Sequence, residues 1–143
     1  MIRERIILIA ATVTTIAAGL LVRSALDGAL AKYLGIALYG TMMFWLVALI
    51  RPRAAGWLIA LVAVAICWGV EFFQLTPIPA AINKHVPLMR LVLGEHFSWW
   101  DLVGYVVGVL AGYSAHAIGR GLWTGLTKQR ATSNIQTTET TRN

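Results

Sequence analysis

The stretch GWLIALVAVAICWGVEFFQL, residues 56–75, decides the fold. From Gly56 to Val70 it carries no charge, and a continuous apolar run, rather than an alternating one, selects a helix over a barrel strand. Crossing a bilayer as a helix takes about 20 mostly apolar residues, with a range of about 17–25, so this run is long enough. One acid interrupts it. Glu71 lies near the end of the run, and a carboxylate inside hydrocarbon costs roughly 2.5–3.5 kcal/mol or more unless it is paired or near water. The rise from Glu71 to Leu75 is about 6 Å, which makes the acid shallow rather than central in the bilayer.

Three further apolar runs flank this one. Residues 6–22 lie between Arg3, Arg5 and Arg23; residues 33–50 end at Arg51-Pro52-Arg53; residues 99–118 begin at Trp99. Together the runs predict an all-α integral membrane protein, a four-helix bundle with spans at 6–22, 33–50, 56–75 and 99–118. The first run reads as a span and not as a cleaved leader, because it is long and Val22-Arg23-Ser24-Ala25 makes a poor cleavage site. The transmembrane domain is expected over residues 1–123. Residues 124–143, rich in Thr, Asn and Gln and without apolar periodicity, are expected to form a disordered cytoplasmic tail. The longest connection, residues 76–98, opens with Pro77 and Pro79 and is expected to be an interfacial loop.

Composition agrees with a membrane class. The 143 residues are 58% hydrophobic and 13% charged, with mean hydropathy +0.70, whereas soluble domains are about 25% charged. The net charge of +6 does not point to nucleic acid, since the twelve Lys and Arg are scattered between apolar runs instead of gathered on one face. Their distribution instead sets an orientation. With the N-terminus inside, Arg3, Arg5, Arg51, Arg53, Arg120, Lys128, Arg130 and Arg142 face the cytoplasm, and only Arg23, Lys32, Lys84 and Arg90 face outward. This predicts an N-in, C-in protein. Trp57, Trp99, Trp100 and Trp123 fit interfacial anchors. The lone cysteine, Cys67, can form no intrachain disulfide and has no zinc-like spacing around it, so no metal or cofactor is expected.

The polar residues converge on one membrane level. Glu71 and Gln74 share a helical face, and stepping back gives Cys67, Val64 and Ala60, a small-residue stripe suited to a bundle interior. Ser98-Trp99-Trp100-Asp101 has capping-box spacing, with Asp101 returning to the free N–H groups of the helix start. Arg23 ends the first span after Thr12, Thr15 and Gly19; Arg90 and His96 lie in the long connection. Arg23, Glu71, Gln74, Arg90, His96 and Asp101 therefore form the candidate polar cluster. Gly104, Gly108 and Gly112 recur every four residues and form a helix-packing stripe, which also allows a second copy or a membrane partner to approach.

Four ordered motifs carry a resemblance. They are Gly19-Leu20-x-x-Arg23, Gly35-x-x-Leu38-Tyr39-x-x-Met42, Glu71-x-x-Gln74-Leu75, and a longer one: Leu91-Val92-Leu93-Gly94-x-x-Phe97-x-x-x-Asp101-Leu102-x-x-Tyr105-x-x-Gly108. In this order they resemble the small bacterial membrane family called domain of unknown function 2809. The Glu-x-x-Gln and Asp-containing motifs of the last two helices also resemble VanZ-like membrane proteins, a family associated with glycopeptide-antibiotic tolerance. The first resemblance implies the four-helix architecture and highlights Arg23, Glu71, Gln74 and Asp101. It names no reaction. In that family an acid commonly follows the glycine that opens the second helix, where this chain has Ile36.

No motif marks a nucleophile, metal cage or cofactor site. The sequence therefore predicts a non-enzymatic factor that binds an envelope lipid or a membrane partner through its outer-leaflet polar cluster. A small transporter or channel component using Glu71 for proton or ion coupling is the alternative, followed by an enzyme acting on a lipid-linked envelope substrate.

Overall fold

The structure, a computed structural model, describes residues 2–86, 88 and 97–140, with side chains except at 80, 123, 124 and 126–140. All regular secondary structure among the described residues is helical. In chain order the helices are α1 (Ile2–Ala25), α2 (Gly28–Ile50), α3 (Gly56–Phe73), α4 (Ile78–His85) and α5 (Trp99–Thr140). Four segments are long and apolar enough to cross a membrane: α1, α2, α3 and residues Trp99–Leu122 of α5. The chain thus has the helices of a membrane protein. Contacts divide it into two compact units, Met1–Tyr113 and Ser114–Asn143.

Helix ends differ from the sequence expectation in informative ways. The first two helices lengthen toward each other until only Leu26 and Asp27 separate them. The reversal is made by Gly28, whose φ of 75° lies where side chains with a Cβ are strained. As a result Arg23 and Lys32, expected beyond the spans, lie within α1 and α2. At the other end, α3 stops at Phe73 and not at Leu75. Its last carbonyls are met by tight turns, with the Gln74 N–H donating toward Val70 and Glu71 and the Leu75 N–H to Phe72.

Two expected irregular segments contain helix. The connection after α3 is not wholly a loop: Pro77 precedes α4 and Pro79 lies in its first turn, where a missing N–H costs nothing. The expected disordered tail is helical through Thr140. No proline follows Trp99 in the sequence, and lengthening an existing helix avoids the cost of nucleating a new one.

In the unit Met1–Tyr113, the core joins Leu8 of α1, Phe44, Val47 and Ala48 of α2, Ile59 and Ala63 of α3, and Val109 of α5. The buried face of α3 runs Ile59, Ala63, Cys67, Glu71, with Ala60 and Val64 half-buried at its edge. Thr12 and Thr15 donate back to the Leu8 and Ala11 carbonyls within α1, so their hydroxyls are satisfied locally.

α2 and α5 approach each other closely. A Cβ at Gly108 would collide with the Ala37 backbone, and one at Gly40 would come within 2.6 Å of the Tyr105 carbonyl oxygen. Gly104 lies against Ile36, and Gly112 against the Phe44 side chain. Thr41 uses the closeness, its hydroxyl donating to the Gly108 carbonyl at 2.7 Å and sharing with its own helix at Ala37, 3.1 Å away. The glycine stripe thus packs against α2 of the same chain.

Candidate functional site

α1 ends, α2 begins, α3 ends and α5 begins at one end of the first unit, and the acids meet there. Glu71 lies in the last turn of α3, where a carboxylate faces the negative end of its own helix dipole. The start of α5 offers the opposite field and free N–H groups. Glu71 takes both. One carboxylate oxygen, Oε1, accepts from the Ser98 backbone N–H at 2.8 Å, and Oε2 accepts from the Tyr105 hydroxyl at 3.1 Å. The side chain is fully buried, at 0% exposure, yet neither oxygen lacks a donor.

The expected capping box is therefore rearranged. In that motif the acid three residues after the cap accepts from the capping residue's N–H. Here the Ser98 N–H goes to Glu71 of a different helix, so α5 is capped by α3. Asp101, released from that role, turns to α2. Its Oδ1 lies 3.0 Å from the Lys32 ammonium. The two groups form a charge pair.

A second bond from α3 reinforces the junction. The Trp68 indole N–H donates to the Leu102 carbonyl at 3.3 Å, one turn along α3 from Glu71. The Tyr39 ring of α2 packs against Tyr105 at 5.7 Å between centroids. Phe97 stacks on Phe72 at 6.0 Å and meets Trp99 edge-on at 4.8 Å, which closes the α3–α5 corner with apolar surface. Trp99 and Trp100 are both 70% exposed.

The residues proposed from sequence are only partly brought together. Glu71 and Asp101 converge at the start of α5. Gln74 follows Glu71 in the turn after α3 and is half-buried. Arg23 is exposed in the last turn of α1 and is joined to neither acid by a hydrogen bond or ion pair. Arg90 and His96, and the side chain of Trp123, lie outside the described residues. Among the described residues no three His, Cys, Asp or Glu side chains gather closely enough to hold a metal.

Lys32, Ser98 and Tyr105 are the members that sequence reasoning did not assign to the cluster. Lys32 was counted only as a flanking charge because α2 was expected to begin after it. Tyr105 had a usable signal: it lies four residues after Asp101 on the same helical face, and a buried tyrosine hydroxyl ordinarily needs a partner. Ser98 was expected to use its side chain, and the structure employs its backbone instead.

Chemically, the arrangement offers a satisfied carboxylate that holds a helix start and, beside it, a charge pair whose cation remains accessible. The Lys32 side chain is 51% exposed against 11% for Asp101. Compared with known families, residues 25–109 match the one described as Protein of unknown function (DUF2809). No curated protein and no solved structure matches the chain. The resemblance to VanZ-like proteins gains no support from these comparisons. With well over half of its length matched, and with Glu71, Tyr105 and Asp101 all inside the matched segment, the chain belongs to the DUF2809 family of proteins of unknown function.

Proposed function

We propose that this chain is a multi-pass protein of a bacterial inner membrane, N-in and C-in, acting as a non-enzymatic factor. It binds an envelope lipid or a membrane partner at the outer end of its bundle. The observation that carries this reading is the Lys32–Asp101 pair, with a buried acid holding a half-exposed cation beside exposed Trp99 and Trp100. Glu71 is explained by its donors on α5, whereas Lys32 retains exposure beyond what its ion pair consumes. Commitment of both Glu71 oxygens to those donors also favours a binding role over proton carriage through this acid.

The excess of Lys and Arg beside the opposite ends of the spans supports the orientation. Reporter fusions after Arg53 are expected to give a cytoplasmic signal, and fusions at Lys84 an external one. The reverse pattern would turn the cluster to the cytoplasmic face and remove the envelope-facing role.

The binding role is tested by mass spectrometry of species co-purifying with detergent-extracted protein. Wild type is compared with the Glu71→Gln, Asp101→Asn double variant. Both substitutions keep side-chain size, so the bundle is expected to assemble while the bound species is lost. Equal recovery of every lipid and protein on both samples would defeat the reading.

A further inference from the structure

The accessible half of the site has its own chemistry. Lys32 lies one turn inside α2, about 6 Å along the helix axis from Gly28, and its long side chain can carry the ammonium toward the membrane surface. There it is 3.0 Å from Asp101 and 6.0 Å from the centroid of the Tyr33 ring. An ammonium has three N–H donors. The contact with Asp101 neutralises charge and fixes position while occupying one side of the ammonium, so donors remain for an acceptor arriving from outside.

The surroundings limit what that acceptor is. Asp101 is buried at 7% exposure and beyond reach of a large cation, while Lys32 is open, so the accessible surface presents positive charge. Tyr33, Trp99 and Trp100 are all exposed and are residue types that settle at headgroup depth. A soluble anion has no use for such a belt; an amphiphile does.

We infer that Lys32 is a binding residue for the phosphate of an anionic lipid headgroup, with Asp101 as the positioning residue that holds its ammonium at the membrane interface. This rests on the binding role proposed above and names its ligand class. Lysine recognises phosphate as a point charge, which suits a headgroup whose remaining substituents vary. Arg23, also exposed near the α1–α2 reversal, adds to the positive field without sharing the acid.

The test is native mass spectrometry of the full chain in detergent, with phosphatidylglycerol or phosphatidylcholine added. Wild type is expected to retain phosphatidylglycerol in preference to phosphatidylcholine. Lys32→Gln should weaken that retention about fivefold, equivalent to ~1 kcal/mol for one basic side chain at a lipid surface. Lys32→Arg should keep it, and Lys84→Gln, a change at an exposed lysine of α4, should leave it unchanged. Because Lys32→Gln strands a buried acid, the Lys32→Gln, Asp101→Asn double variant is measured beside it and should show the same loss.

Equal retention by wild type and both Lys32→Gln variants would overturn the inference. If the Glu71→Gln, Asp101→Asn variant still lost its co-purifying species, the wider binding role would stand without the phosphate. Were that variant also unchanged, both would fall. Excess inorganic phosphate forms the last arm: failure to displace the lipid supports a headgroup ligand, and displacement overturns the lipid source in favour of free phosphate.

Discussion

Replacing Glu71 with alanine is expected to destabilise the folded bundle by about 2–4 kcal/mol, one of the two largest losses available from a single change. Three effects act together. The Ser98 N–H and the Tyr105 hydroxyl each lose their acceptor, and the α5 start loses the negative charge that favours its dipole. A cavity also replaces a fully buried side chain. Interhelical hydrogen bonds in membranes average only about 0.6 kcal/mol, so the bonds alone would not reach this figure. The unsatisfied groups and the cavity make up the difference.

Glu71→Gln should cost far less, about 1 kcal/mol, because the amide oxygen can accept from Ser98 while its NH2 group donates to the Tyr105 oxygen. Unfolding of purified protein in mixed micelles by titration with a denaturing detergent would measure both. A loss from Glu71→Ala no greater than from Glu71→Gln would show that the acid does not hold the α5 start.

Gly108→Val is expected to be at least as damaging, by about 3 kcal/mol or more. The new Cβ would meet the backbone of Ala37, which cannot rotate aside as a side chain can. α2 and α5 would have to separate, and the Thr41 hydroxyl would lose its bond to the Gly108 carbonyl. Gly119→Ala provides the contrast on the same helix, since nothing lies within 4 Å of a Cβ there and alanine favours helix by about 1 kcal/mol. Thermal denaturation followed by loss of soluble monomer in detergent should therefore separate the two variants widely. Similar midpoints would refute the close α2–α5 approach.

The apolar runs made the four spanning helices legible, because length and continuity in hydrocarbon leave few other structures. Their ends were less legible. Arg23 and Lys32 each looked like a span boundary, but long cationic side chains can lie inside a helix and reach the surface, so charge did not mark where helix stopped. For the same reason Lys32 was overlooked as the partner of Asp101.

The acids themselves were visible, since uncompensated charge in an apolar run demands an explanation. Their partners were not, because pairing depends on how helices are juxtaposed. Local spacing assigned the Ser98 N–H to Asp101, and the approach of α3 gives it to Glu71 instead. The glycine spacing indicated close packing but could not say against which helix; Ile36, Ala37 and Phe44 occupy that place. The departure at Ile36 has a physical role here, since its methyl fills the space beside Gly104.

The central structural claim is that Glu71 joins α3 to α5 through donors on α5, and a double-mutant cycle tests it most directly. Stabilities would be measured for wild type, Glu71→Ala, Tyr105→Phe and the double variant by the same micellar unfolding. The account expects the two losses to be non-additive by about 0.6–1.7 kcal/mol, the range for hydrogen-bonded pairs between membrane helices. Additive losses, with each substitution costing the same whether or not the other is present, would contradict it.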